Sequence, residues 1–191
     1  MTSKTDIRLK RGWTTGACAT AATKAALHSL WSDAKLDVVS IKLPKGETPL
    51  FHISFFEKKK NCVEVGIVKD AGDDPDVTHG ALIKVKVEEM GNGIVFCAGP
   101  GVGIVTKPGL PIPVGGPAIN PMPRKYITEV IVETAKIFNK SPNIKVTISI
   151  PNGKKIAKNT WNSRLGIRNG LSILGTTGIV RPFSCAAWIA S

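Results

Sequence analysis

Several protein classes depend on features that this chain has little of. Aromatic residues make up 6% of its 191 residues, with a single tyrosine, so the stacking surface that single-stranded nucleic acid needs is scarce. The four cysteines, Cys18, Cys62, Cys97 and Cys185, are scattered without a C-x-x-C pair or a nearby histidine. That spacing matches neither a zinc-ligand set nor a disulfide framework, and reduced thiols in a cytoplasmic protein are expected. No uninterrupted apolar run approaches the roughly 20 residues that cross a bilayer, because Lys24 breaks the small-residue stretch 17–27. Secretion and membrane insertion are therefore not expected. Acidic residues also run out, the last being Glu133.

The chain does carry positive charge and enough apolar content for a core. Lys and Arg number 26 against 14 Asp and Glu, a net charge of +12, and residues 134–191 contain nine basic residues. A basic C-terminal third after a nearly neutral body favours an anionic partner. On charge alone, nucleic acid, a membrane surface or an acidic small molecule fit equally. A hydrophobic content of 42% can fill the core of one substantial domain or two small ones.

Thr14, Thr15 and Gly16 precede an Ala- and Leu-rich segment that predicts a helix, with Thr14 or Thr15 as its N-cap. Strand patterns at 38–43, 50–56 and 62–68 read as an antiparallel meander, and 81–89 with 94–98 reads as a hairpin around Gly91-Asn92-Gly93. Residues 99–124 are too rich in Gly and Pro for a helix or a central strand. A second helix is expected at 124–139, with Pro123 at its start, followed by a strand at 144–150. Beyond Gly153 the chain reads as irregular apart from a short apolar run at 171–174. The class is α+β with mixed or antiparallel sheets.

The turn in IVFCAGPGVG (94–103) invites a nucleotide or S-adenosylmethionine reading, since G-x-G-x-G after a strand lets backbone approach a cofactor. Two features argue against it. Prolines at 108, 111 and 113 follow before a helix can open, and no Asp or Glu lies between Glu89 and Glu129 to hold a ribose. Asp70, Asp73, Asp74 and Asp76 lie within seven residues beside His79. They lack an EF-hand register and fit a tight turn whose carboxylates accept backbone N–H groups. A metal site, a polar substrate wall or acid–base chemistry are the alternatives.

Thr14-Thr15-Gly16 at a helix start offers N–H groups, hydroxyls and a positive dipole end, which suit a carboxylate or phosphate; ordinary capping explains them equally. Gly175-Thr176-Thr177-Gly178 followed by Arg181 presents similar donors, and Arg grips carboxylates bidentately. The basic segments 58–60 and 154–158 are expected to be solvated strand ends. His28 and His52 are expected to be packing or surface residues.

Taken together, LKRGWTTGACATAATKAAL (9–27), VKDAGDDPDVTHGA (68–81), GVGIVTKPGLPIPVGGPAINPMPR (101–124) and NSRLGIRNGLSILGTTGIVRP (162–182) resemble the CbiD-type cobalt-precorrin-5B C1-methyltransferases of anaerobic cobalamin biosynthesis. The segments occur in family order and cover most of the chain. The resemblance implies methyl transfer from S-adenosylmethionine to C1 of an anionic cobalt corrinoid, giving cobalt-precorrin-6A. Cobalt would arrive with the substrate, so no protein metal site is implied. On motif position, Thr14, Thr15, Gly16, Lys107, Arg124, Thr176, Thr177 and Arg181 would donate to corrinoid carboxylates. Asp70, Asp73, Asp74, Asp76 and His79 would form a polar wall near the ring.

Family members continue past G-T-T-G-I-V-R-P into a second domain, whereas this sequence ends in FSCAAWIAS. Residues 1–182 are accordingly expected to be an N-terminal, substrate-side domain and 183–191 an atypical, truncated C-terminus. The S-adenosylmethionine site would lie in the absent part, and an oligomer or a separate second domain would complete the protein. A non-catalytic corrinoid-binding or non-functional fragment is the alternative. A basic nucleic-acid-binding module is less favoured, because no fold motif for one is present.

Overall fold

The computed structural model describes residues 9–183. Cys185 and most of the 183–191 segment lie outside them. Helix α1 (Thr15–Ser32) follows the two-residue strand β1 (Gly12–Trp13). Thr14 is its N-cap, in extended backbone, with Oγ1 accepting the Ala17 N–H at 3.1 Å. Alanines at 17, 19, 21, 22, 25 and 26 are buried together with Leu27, and their small size lets the helix be enclosed on nearly every side. Thr20 and Thr23 hide their hydroxyls by donating to the carbonyls of Gly16 and Ala19, each at 2.8 Å, the i−4 arrangement open to a threonine inside a helix.

Strands β2 (Val38–Ser40) and β3 (Leu50–His52) pair as a separate antiparallel ribbon. The run 50–56 therefore splits at Ile53, and β4 (Phe55–Lys59) opens a five-stranded sheet with β5 (Cys62–Val68) and β6 (Leu82–Glu89). These three are antiparallel neighbours. The expected hairpin of 81–98 does not form. Strand β7 (Ile94–Ala98) is separated from β6 by β10 (Ile144–Ser149), in the order β4-β5-β6-β10-β7. Asn143 is the physical reason. Its carbonyl accepts the Met90 N–H, its Oδ1 accepts the Gly93 N–H and its Nδ2 donates to the Gly91 carbonyl, so the turn at 91–93 embraces an entering strand instead of closing on itself. β10 runs antiparallel to β6 and parallel to β7, and a parallel pair requires a crossover. Helix α2 (Pro121–Ile137) supplies it.

Helix α2 starts three residues before Arg124, inside the segment judged too rich in proline for a helix. Pro121 and Pro123 occupy its first turn, where the missing N–H groups would have had no intrahelical partner. Helix α1 packs against α2, β5 and β6, and Ile127, Ile131, Val63, Val65, Ile83, Val85, Val146 and Ile148 close the core around it. The opposite sheet face is polar, with ion pairs Lys84–Glu64 at 2.7 Å and Lys145–Glu88 at 3.5 Å.

After β7 the chain forms short pairings that bind distant segments. β8 (Gly101–Val102) runs parallel to β12 (Gly170–Leu171), and β9 (Ile104–Val105) pairs with β11 (Ile167–Arg168). A short helix α3 (Gly153–Ile156) stands between β10 and β11. Strand β13 (Ile179–Val180) pairs antiparallel with β1, Gly12 opposite Val180, so the two ends of the described chain meet. The architecture is α+β with mixed sheets, as expected.

Candidate functional site

Where β1 and β13 meet, the start of α1 is overlain by residues 172–178. The Gly16 N–H donates to the Leu174 carbonyl at 2.9 Å, the Leu174 N–H donates to Thr15 Oγ1 at 3.0 Å, and the Thr14 N–H donates to the Gly178 carbonyl at 3.0 Å. Gly175 lies against the Thr14 side chain, where a Cβ would fall 2.3 Å from Oγ1. Two of the helix donors that an anion would use, the Gly16 and Ala17 N–H groups, are therefore taken by the protein itself. Gly16 also faces Pro123, with no room for a Cβ (2.8 Å to Pro123 Cγ), so it is a packing glycine between α1 and α2.

Beside this junction a cleft of about 70 Å³ is lined by Thr14, Thr15, Thr78, Thr160, Asn162 and Ser172, by the apolar Val77, Leu171, Leu174 and Val180, and by Lys69 and Asp76. Lys69 directly follows β5. Its side chain is 1% exposed, and its Nζ donates to Asp76 Oδ2 at 2.6 Å. Asp76 Oδ1 in turn accepts the Thr78 N–H at 2.7 Å and the Thr78 hydroxyl at 2.6 Å. Burial alone would raise the Asp76 carboxyl, but the charge and hydrogen bond of Lys69 and the two Thr78 donors outweigh it, and the net displacement is downward. On α1, burial pushes the Cys18 thiol up to about 12, which makes it a neutral packing residue at physiological pH.

The rest of the acidic loop fastens chain to chain. Asp70 Oδ1 accepts the Gly72 N–H at 2.8 Å and its Oδ2 accepts Lys10 Nζ at 2.7 Å; Asp73 accepts the Lys10 N–H at 2.6 Å and Asp74 the Phe183 N–H at 3.0 Å. Each of the four aspartates thus takes a backbone N–H; Asp70 and Asp76 take it from two residues on, the turn role that aspartate fills readily, whereas Asp73 and Asp74 take it from distant segments. The hydrogen bond from Lys10, followed by that from Gly72, lowers the Asp70 carboxyl. His79 Nδ1 accepts the Ala71 N–H at 3.1 Å. Among the described residues no cluster of three His, Cys, Asp or Glu is placed to hold a metal ion.

The sequence-predicted donors divide. Thr14, Thr15 and Asp76 line the cleft. Thr177 caps its own turn through Ile179, and the Thr176 carbonyl accepts the Tyr126 hydroxyl. Arg181 is exposed beyond β13. Lys107 lies along Gly166. Arg124 donates to the Ile119 and Pro117 carbonyls at 2.7 and 3.2 Å and stands over the Phe96 ring, where it holds the loop before α2. Reasoning from the sequence missed Lys69, Thr160, Asn162 and Ser172. For Lys69 a signal existed: Val63, Val65, Ile67 and Lys69 share the core-facing parity of β5.

The glycine turn is also resolved. A Cβ on Gly101 would lie 1.9 Å from the Ile150 carbonyl oxygen, and those on Gly153 and Gly170 would lie 2.3 and 2.2 Å from the Gly101 oxygen. Neighbouring backbone fills the Cβ side of these glycines, so they serve the close packing of chain on chain around β8.

An α+β body built in this way has a counterpart among solved structures. The crystal structure of cobalamin biosynthesis protein (cbiD) from Archaeoglobus fulgidus superimposes with a TM-score of 0.72 at 34% identity, over 95% of this chain and 58% of that one. The chain belongs to the CbiD family, whose sequence model matches residues 2–182. Relatives named cobalt-precorrin-5B C(1)-methyltransferase are 56% identical in Brucella anthropi, over 99% of this chain and 52% of that protein, and 54% identical in Paramagnetospirillum magneticum, over 96% and 52%. The chain therefore spans about half the length of the relatives it matches.

Proposed function

We propose that this chain is the substrate-holding part of a cobalt-precorrin-5B C1-methyltransferase of the cytoplasm, residues 1–182 forming the side that meets the anionic cobalt corrinoid. The observation that carries this reading is the identity of about 55%, spread over nearly the whole chain, to relatives bearing that name. The methyl donor in this reading is S-adenosylmethionine, which supplies an electrophilic sulfonium methyl. Its binding groups are proposed to lie outside the described residues.

The work left to this chain is positional. A ring carbon must be held in line with the methyl group in a site from which water is excluded, so orientation and desolvation matter more than proton transfer. The hydroxyl of Thr14 and the N–H groups of Lys69 and Asn162 that line the cleft suit a carboxylate, and the buried Leu171 and Val180 keep the cleft partly dry. The test is incubation with cobalt-precorrin-5B and S-adenosylmethionine labelled in the methyl group. Label in the corrinoid is expected if the chain is catalytically sufficient. Retention of the corrinoid without transfer identifies a substrate-holding part that needs a further domain, and absence of corrinoid binding overturns the reading.

A further inference from the structure

We propose that Lys69 anchors a single carboxylate arm of the ligand, which enters the cleft while the body of the ligand stays outside. This rests on the reading of the cleft as a substrate site and names the group that reads the substrate. Few protons around the cleft lack an acceptor. Among the side chains lining the cleft, the hydroxyls of Thr15, Thr78, Thr160 and Ser172 donate respectively to Leu174 O, Asp76 Oδ1, Ala157 O and Asn162 Oδ1.

What remains is the hydroxyl proton of Thr14, whose oxygen accepts from Ala17, and N–H groups on two buried side chains. An ammonium carries three N–H donors and a carboxamide two. Lys69 Nζ has Asp76 as its one acceptor and Asn162 Nδ2 has the Gly170 carbonyl at 3.3 Å, among the described residues. Lys69 is 1% exposed and Asn162 3%, so water is not freely at hand, and a buried donor left without an acceptor is costly.

The unspent N–H capacity therefore belongs to two buried side chains, Lys69 and Asn162, that line one cleft beside the start of α1. Both oxygens of Asp76 are engaged by Lys69 and Thr78, which leaves the other two ammonium N–H groups of Lys69 for an incoming acceptor. An acceptor-only group fits this set, and a carboxylate is the acceptor-only group of a polycarboxylated corrinoid. At about 70 Å³ the cleft has room for a carboxyalkyl arm. It is far below the several hundred Å³ that enclose a drug-sized ligand, so a macrocycle must remain outside.

The experiment uses a fully hydrolysed cobalt corrinoid with free carboxylates, the same corrinoid fully methyl-esterified, and sodium acetate. The wild-type chain is expected to bind the acid form, and Lys69→Met to bind it roughly tenfold more weakly or worse, as loss of a charged hydrogen bond implies. The ester is expected to bind wild type and Lys69→Met alike. Lys69→Gln, which keeps an N–H donor without the charge, is expected to fall between. Circular dichroism establishes that each variant is folded. In wild type alone, acetate should produce saturable NMR shifts of the Asn162 side-chain amide that chloride at equal ionic strength does not.

If wild type binds the acid form and Lys69→Met binds it equally, the anchor is refuted while the substrate reading stands. If wild type ignores the corrinoid but acetate shifts Asn162, the substrate reading falls and the anchor survives. Shifts with inorganic phosphate but none with acetate overturn the carboxylate assignment, and no shift with either overturns the site.

Discussion

Asp76 pairs with Lys69 and is itself held by Thr78, so one carboxylate is the counter-ion of a buried lysine at the wall of the cleft. Removing it leaves that charge without its counter-ion, a change that costs about 3 kcal/mol or more at buried pairs. Asp76→Asn is accordingly expected to lower the urea midpoint strongly at pH 7. The acid limb gives a sharper check. A carboxyl whose folded pKa lies below its unfolded value of about 3.9 contributes stability that is present above that value and lost as pH falls through the folded one. Asp76 and Asp70 are both displaced downward, so wild-type stability should decline below about pH 4. Asp76→Asn should show a shallower decline, and equal slopes from pH 5 to pH 2.5 in the two proteins would contradict this account.

The same pair marks a limit of what the sequence makes legible. The four aspartates stand out by their spacing, and the turn role of Asp70 and Asp76 follows from aspartate chemistry, whereas the reach of Asp73 to Lys10 and of Asp74 to Phe183 does not. The buried lysine that makes one of them different looks like any strand-end lysine until the parity of β5 is followed one residue past its end. Asn162 and Ser172 carry no local signal, since they reach the cleft only through β8–β12 and β11–β9 pairings between residues more than 60 apart in sequence.

Among the elements, the short pairings around β8 depend on backbone touching backbone. Gly101 is the centre of that contact and has φ +82°, in the left-handed region that other residues enter at a cost, so Gly101→Ala faces both strain and overlap with Ile150 and Gly153. Loss of folded protein or a drop of several kcal/mol is expected, read as a fall in thermal midpoint. Gly91, with open space around its Cβ position, is the control, and Gly91→Ala should move stability by no more than about 1 kcal/mol. Similar midpoints for the two variants would remove the packing explanation for the glycine turn.

Element order tells a related story. Helix α1 and strand β5 could be read directly, because the alanine run and the period-two apolar pattern are dictated by local chemistry. Gly91-Asn92-Gly93 has the composition of a closing turn but opens around Asn143. The sequence strand 94–98, helix, strand 144–150 already had the form of a parallel crossover, and Asn143 is the side chain that turns one arrangement into the other.

At the scale of the whole molecule, β1 and β13 bring residues 12 and 180 into register. Joining residue 183 to residue 9 through a short flexible linker, and opening the chain between Gly91 and Gly93 instead, should leave the packing intact. That circular permutant is expected to keep the wild-type far-UV circular dichroism and a thermal midpoint within several degrees. A molten spectrum would mean that the order in which the strands are connected matters beyond their contacts. The positive charge belongs to this scale too. Residues 134–191 carry nine cations and no acid, yet Lys69, the cation in the cleft, comes from the nearly neutral body, so charge totals mark the character of a ligand better than the place where it is held.

The closure of β1 on β13 also sets a timetable for biosynthesis. Thr14 leaves the ribosome early, whereas Ser172, Leu174 and Val180, which line the other side of the cleft, are made more than 150 residues later. A nascent chain can bury much of α1 against the sheet long before then, but the cleft is not complete until β13 has emerged.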